Sequence, residues 1–119
     1  MRSNFDFLNS HFPVLANFGE LAEKYLYCDS NSCLMKLGMI GETIVNLIFT
    51  YDRIPFPTVN SAINRIDTLF REGMITRDLV DILHALRKKR NLAVHENYTS
   101  ADDGKTLLQM AYGLCEWFT

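Results

Sequence analysis

Arg90 is the residue whose position most needs a chemical explanation, because it places a permanent charge among apolar side chains. The pattern predicts one amphipathic helix from Thr76 to Asn97, with Arg90 in the middle of its apolar line. To within about 60° on a helical wheel, that line is formed by Leu79, Leu83, Leu86, Ala93 and Val94. A guanidinium has no neutral form near pH 7, so there it needs a carboxylate, a phosphate or a water-filled cleft. Either Arg90 is a structural residue with a packed stem, or the helix opens at that point onto a site.

Other polar side chains of this predicted helix could join such a site. A second face, with spacings of three or four residues, carries His84, Arg87, Asn91 and His95. Positive charge is concentrated in Arg87-Lys88-Lys89-Arg90, of which Arg87, Lys88 and Arg90 are candidate contacts for phosphate or nucleic acid. The same run could equally be a solvated turn whose cations interact with the C-terminal end of the helix dipole. Glu42, the one carboxylate in the predicted second helix, is the candidate charge partner of Arg90.

Composition and charge indicate one ordinary globular domain. The chain has 119 residues, of which 48% are hydrophobic and 22% charged, enough for a single core. Its net charge of −2 argues against nucleic-acid binding through the overall field, so any such contact would have to be local. The three cysteines include no CxxC pair and match no common zinc site, which fits a reduced cytoplasmic protein without metal or cofactor. Polar residues interrupt every apolar run, so we expect neither a signal peptide nor a membrane contact.

The spacing of apolar residues predicts an all-α bundle of about five helices. After an N-terminal arm at 1–12, the helices are expected at about 13–27, 32–52, 59–72, 76–95 and 101–118. The second is apolar almost all round and should be the central, most buried element, with Gly38 and Gly41 permitting close approach of a neighbour. The fifth reaches Thr119 without a closing glycine or polar tail. We therefore expect this single domain to be excised from the N-terminal part of a longer protein.

Four stretches of the chain carry a resemblance to a known family. They are Asn4–Leu8, Leu21–Tyr27, Asp81–Arg87 and Asn91–Tyr98. Through them, nearly the whole chain resembles the small helical domain of unknown function at the N terminus of type I restriction-enzyme R subunits, which are the motor and nuclease subunits. That domain is usually grouped with the HEPN superfamily, whose signature is an arginine followed a few residues later by histidine, similar to Arg90 and His95 here. The resemblance implies an HEPN-like bundle with other restriction-modification subunits as partners.

The likeness to HEPN proteins also implies a catalytic alternative. Catalytic members are metal-independent ribonucleases that usually dimerise and bring two such motifs together across one cleft. By that analogy Arg90 would stabilise the phosphate, His95 would be the general acid or base, and Asn91 would orient them. On a straight helix, however, Arg90 and His95 lie about 140° apart, so they converge only if the helix ends or bends near Asn91, or across a dimer. Otherwise Asn91 and His95 would cap the end of the helix and fix the following loop.

Functions of different classes are therefore predicted for this chain. We favour a non-catalytic docking module of an R subunit, in contact with another subunit, nucleic acid or nucleotide. DNA cleavage and ATP hydrolysis would then belong to other domains, because the chain has no GxxxxGK[ST] loop and no cluster of metal-binding carboxylates. The alternative is a ribonuclease that uses Arg90 and His95 at a homodimer interface. A third and weaker hypothesis is a nucleotide-binding partner of a small nucleotidyltransferase.

Overall fold

Five α-helices and one short 3-10 helix make up the fold. The computed structural model describes residues 2–119, and no strand occurs among them. The α-helices are α1 (Pro13–Tyr25), α2 (Ser30–Tyr51), α3 (Ala62–Arg71), α4 (Arg77–Glu96) and α5 (Ala101–Phe118). The 3-10 helix, Asp6–Leu8, lies in the segment before α1. The predicted all-α bundle of about five helices is confirmed.

The centre of the bundle is α2, which contacts each of the other four α-helices. Its buried side chains are Cys33, Leu34, Leu37, Ile40, Ile44, Val45, Ile48 and Phe49. By length and composition alone α2 could also cross a membrane, but more than half of its apolar window is buried within the protein. Burial of this kind is what the core helix of a helical bundle requires. The prediction that the second helix is the central element is confirmed.

Side-chain caps fix where the helices begin. The hydroxyl of Thr76 accepts a hydrogen bond from the Leu79 amide, and that of Ser100 accepts one from the Asp103 amide. The cap of α3 is Ser61, which accepts from the Asn64 amide at 3.1 Å. For that reason α3 starts at Ala62, later than the expected 59, and the preceding residues form a loop.

A glycine ends α3. Gly73 has a φ of +75°, in the left-handed region that glycine adopts without strain. The Met74 amide then donates a hydrogen bond of 2.9 Å to the Leu69 carbonyl, which closes the last turn. This turn directs the chain from α3 into α4.

Aromatic side chains hold the N-terminal segment on the bundle. Phe5 is 1% exposed and packs on Gly19 of α1, where a built Cβ would lie 2.5 Å from the Phe5 ring atom Cδ2. The ring of Phe12 lies 5.0 Å, between centroids, from that of Phe118 in the last turn of α5. The segment before α1 and the end of α5 therefore contact each other.

Candidate functional site

Arg90 lies where α4 comes closest to α2. A Cβ built on Gly38 would lie 2.5 Å from Cδ and 2.7 Å from Cγ of Arg90, so only glycine leaves room for the arginine stem. About one turn further along α2, Gly41 faces Leu83 and Leu86, whose side-chain carbons lie 3.5 Å and 3.3 Å from its built Cβ. The two glycines thus permit close approach of a neighbouring helix, as predicted.

A cavity of about 250 Å³ opens beside this contact, between α2, α3 and α4. Its apolar wall includes Val45, Ile66 and Leu83. Its polar lining consists of Glu42, Ser61, Arg65, Arg87, Arg90 and Asn91. Four polar residues singled out from the sequence therefore line one cavity. Arg65 of α3 and Ser61, the cap of that helix, also line it, and the sequence analysis did not identify them.

The lining of the cavity is positively charged, although the whole chain carries a net charge of −2. Three guanidinium groups and the single carboxylate of Glu42 leave a formal local charge of +2. Within residues 2–119 the ion pairs closer than 4.0 Å join Arg77 to Asp81 and Lys89 to Asp103, and His84 lies within the same distance of Asp67. Glu42, the candidate charge partner of Arg90, forms no ion pair with it within the described residues: it is exposed and lines the same cavity as the arginine.

Neighbouring groups orient two of the three arginines. Nη1 of Arg65 donates to the carbonyl oxygen of Asn60 at 3.2 Å and to its Oδ1 at 3.0 Å. Nε of Arg87 donates to Nδ1 of His84 at 3.4 Å, and Nε2 of His84 lies 3.5 Å from Oδ1 of Asp67. Each guanidinium has five N–H donors, so both retain donors for a further partner.

Arg90 is half-buried and differs from these two arginines. No side-chain hydrogen bond or ion pair connects it to any other residue in the range 2–119. Its stem packs on Gly38 while its charge stays in the cavity lining. Of the two interpretations offered by the sequence, the structure gives a packed stem at the edge of an open site.

His95 does not share the cavity with Arg90. Because α4 continues without interruption to Glu96, the two residues remain about 140° apart around the helix. His95 is exposed in the last turn of α4 and does not line the cavity. Within one chain, the structure therefore joins Arg90 to Asn91 but not to His95.

The end of α4 is capped by residues other than the predicted Asn91 and His95. Asn97 adopts the left-handed conformation, with a φ of 52°, and its amide donates to the Leu92 carbonyl. From the first turn of α2, Nδ2 of Asn31 donates to the carbonyl oxygens of Ala93 at 2.8 Å and Tyr98 at 2.9 Å. The predicted cap is thus wrong, because Asn31 satisfies α4 carbonyls from a helix that is distant in sequence.

The basic run of α4 divides between two sides of the helix. Arg87 and Arg90 line the cavity, whereas Lys88 is exposed outside it. Nζ of Lys89 lies 3.0 Å from Oδ2 of Asp103, which also accepts a 2.6 Å hydrogen bond from the Tyr98 hydroxyl. The bond from Tyr98, with that from Lys89, lowers the pKa of the Asp103 carboxyl. Lys89 thus fixes α4 to α5.

The cysteines are dispersed through the fold. Cys28 is exposed, while Cys33 and Cys115 are buried, and burial raises their pKa to about 11 and about 12. Throughout the described chain, from residue 2 onward, no three His, Cys, Asp or Glu side chains are grouped so that they could hold a metal ion. The buried thiols therefore act as small apolar side chains.

Comparison with known proteins identifies a family model and a relative that match this chain. The family model described as "Domain of unknown function (DUF4145)" matches residues 20–117, which include all of α2, α3 and α4. The type I restriction enzyme EcoKI endonuclease subunit of Escherichia coli (strain K12) is 26% identical over 117 residues. These residues are 98% of this chain but only 10% of that subunit. No solved structure matches the chain. The matched region contains every helix that builds the cavity.

Proposed function

Because this chain belongs to the family described as a domain of unknown function, DUF4145, we propose that it is a non-catalytic docking domain of a type I restriction system. It is an HEPN-like bundle in the N-terminal part of an R subunit, works in the cytoplasm and contacts other subunits of the enzyme. The likeness to the E. coli endonuclease subunit, over 98% of this chain, supports that assignment. The all-helical architecture supports the comparison with HEPN domains.

The separation of Arg90 from His95 carries the non-catalytic part of the proposal. Metal-independent cleavage of a phosphodiester needs a phosphate-binding cation and a proton-transferring group at the same phosphate. Here Arg90 lines a cavity and His95 lies exposed outside it on one unbroken helix. A single chain therefore binds rather than cleaves.

A concentration of exposed apolar side chains suggests where docking occurs. Of the twelve large hydrophobic side chains exposed in the described chain, six fall between residues 51 and 74. They are Tyr51, Phe56, Val59, Ile63, Phe70 and Met74. Exposed apolar surface of this kind is typical of a protein-binding face. We infer that the segment from the end of α2 to Met74, with α3 at its centre, contacts the modification subunits of the restriction enzyme.

Charge substitutions in this segment test the docking proposal. Val59→Asp and Met74→Asp should each weaken binding to the modification subunits by about tenfold or more, because a carboxylate is costly to bury at an interface. Val14→Asp is the matched control, since Val14 is also exposed but lies on α1. Binding can be measured by analytical ultracentrifugation of the R subunit that carries this chain. Unchanged assembly, translocation and restriction after deletion of residues 2–119 would contradict the proposal.

The ribonuclease alternative requires a second copy to supply His95 to the Arg90 of the first. It predicts RNA cleavage without metal by a dimer, lost in His95→Ala and retained in His84→Ala. We expect no cleavage when RNA is incubated with the purified chain in the presence of a chelator. Cleavage with that pattern of variants would overturn the docking proposal in favour of catalysis.

A further inference from the structure

We propose that the cavity between α2, α3 and α4 binds a small organic phosphate, of mononucleotide size or smaller, through Arg65, Arg87 and Arg90. This activity does not depend on docking, because the cavity is complete within one chain. The ligand would be held by charge-assisted hydrogen bonds at one side and by apolar contacts at the other.

The local charge of the cavity matches a phosphate monoester. Three arginines and Glu42 give a formal charge of +2, and a phosphate monoester carries about −1.5 to −2 at pH 7. The planar fork of a guanidinium also matches two phosphate oxygens at once. Arg90, which no residue of the described chain engages, is free to supply such a fork.

The donors of the other two arginines are already positioned. Asn60 holds Nη1 of Arg65, and His84 accepts from Nε of Arg87. A side chain fixed by one partner loses less conformational entropy when it binds a second. Two of the arginines that line the cavity, one from α3 and one from α4, are therefore held in place before a ligand binds.

Size and shape favour a small molecule over a long nucleic acid. The volume of about 250 Å³ lies just below the range of about 300–1,000 Å³ that is common for ligand pockets. Val45, Ile66 and Leu83 give one wall to which an apolar or planar group can pack. The chain's net charge of −2 disfavours an extended polyanion, whereas it opposes a single phosphate less.

Glu42 adds a further requirement on the ligand. A carboxylate only accepts hydrogen bonds when it is ionised, so it would accept one from a hydroxyl or amino group of the same molecule. A phosphate ester of a molecule with several hydroxyl groups, such as a nucleotide, satisfies both the arginines and Glu42.

A second depression on the surface lacks these features. It is lined by Glu23 and Lys105, whose charges cancel, and Glu23 already accepts a 2.5 Å hydrogen bond from Ser3. It therefore offers no comparable site for a phosphate.

Calorimetric titration of the 119-residue chain with five probes tests the proposal. The probes are adenosine monophosphate, inorganic phosphate, adenosine, and a short thymidine oligonucleotide with either a 5′-phosphate or a 5′-hydroxyl. We expect adenosine monophosphate to bind more tightly than phosphate or adenosine alone. Arg90→Gln and Arg87→Gln should each weaken its binding by about ten- to a hundredfold. Lys88→Gln, which removes the same charge from the same helix outside the cavity, should change it by less than about twofold.

A substitution that removes negative charge from the cavity should have the opposite effect on binding. Glu42→Gln removes the one negative charge of the cavity and should strengthen the binding of inorganic phosphate. Circular dichroism and thermal melting show whether each variant is folded, and Arg87→Gln provides a cavity variant that does not disturb the stem over Gly38. Equal losses in Lys88→Gln and Arg90→Gln would overturn the proposal, as would the absence of binding by adenosine monophosphate and phosphate at about 10 mM.

The oligonucleotides separate two sources of the phosphate. Tighter binding of the 5′-phosphorylated strand than of adenosine monophosphate, lost in Arg90→Gln, would support the cavity with a nucleic-acid end as its ligand. Equal binding of the phosphorylated and hydroxyl strands, both at least as tight as that of adenosine monophosphate, would overturn the proposal, because the strand backbone rather than a terminal phosphate would then be recognised.

Discussion

The stem of Arg90 on α4 packs directly on Gly38 of α2, with Cδ of the arginine 2.5 Å from the place that a Cβ on the glycine would occupy. The glycine therefore leaves the room that the arginine stem fills between the two helices. The position of Arg90 in the cavity lining depends on the lack of a side chain at residue 38.

Gly38→Ala should destabilise the protein. Alanine improves helix propensity by about 1 kcal/mol, but overpacking against the Arg90 stem costs about 1–3 kcal/mol. The contact includes Cβ of Arg90, which cannot move without its backbone, so the overpacking should outweigh the gain in propensity, with a net loss of up to about 2 kcal/mol. Urea unfolding followed by circular dichroism measures the change in the free energy of unfolding.

Gly113→Ala is the matched control for that substitution. Gly113 is exposed within α5, and nothing lies within 4 Å of its built Cβ. Only the better helix propensity of alanine changes the free energy of unfolding here, so this variant should be stabilised by up to about 1 kcal/mol. Equal effects of the two alanines would show that the helices do not approach at Gly38.

Asn31→Ala should also destabilise the protein, because its side chain donates to two carbonyl oxygens at the end of α4. Loss of these bonds, at 2.8 Å and 2.9 Å, should cost about 1–3 kcal/mol. Asn46→Ala provides the comparison on the same helix, since the Asn46 side chain makes no hydrogen bond within the described chain. Hydrogen exchange should show faster opening of α4's last turn in the Asn31 variant alone.

The lowered pKa of the Asp103 carboxyl predicts how the free energy of unfolding depends on pH in the acidic range. Its pKa is lowered in the folded protein, first by the Tyr98 hydroxyl and then by Lys89. The stabilisation it provides is therefore present above its unfolded pKa of about 3.9 and is lost as the pH falls through the lower folded pKa. Tyr98→Phe should reduce stability at pH 6 and flatten the fall below pH 4.

Unfolding by urea between pH 2 and pH 6 measures this dependence, and NMR titration reports the Asp103 carboxyl directly. Tyr27→Phe removes a hydroxyl that is exposed and unbonded within the described chain, so its curve should follow that of the original protein. Parallel curves for the Tyr98 and Tyr27 variants would contradict the assigned role of the Tyr98 hydroxyl.

The three thiols should differ in reactivity. Burial raises the pKa of Cys33 to about 11 and of Cys115 to about 12, so at pH 8 both remain protonated as well as inaccessible. We expect a disulfide reagent to modify one thiol rapidly, that of the exposed Cys28, and the other two only on unfolding. In Cys28→Ser the rapid phase should disappear. Rapid modification of two thiols would show that one of the buried positions is accessible.

Local signals in the sequence were sufficient to predict most of the fold. Thr76 and Ser100 could be identified as caps because their bonds join residues three positions apart. The central position of α2 followed from its apolar composition on nearly every face. Val94 was assigned to the apolar line of α4 but is 47% exposed, because no other helix covers that part of the wheel.

The site was harder to predict because its parts come from separate helices. Arg87, Arg90 and Asn91 were found by their spacing on α4, but Arg65 carries no local signal that it meets them. Asn31 is likewise 62 residues from Ala93, to which it donates. The relation of Glu42 to Arg90 was predicted by charge, whereas the side chains share a cavity without pairing.

The contact of Phe12 with Phe118 has a consequence for the order of folding. One ring precedes the first α-helix and the other lies in the last turn of the fifth, so nearly the whole sequence separates them. Closing so long a loop costs conformational entropy, which the packing of the intervening helices must offset. The start of α1 should therefore become ordered only after the rest of the bundle has formed.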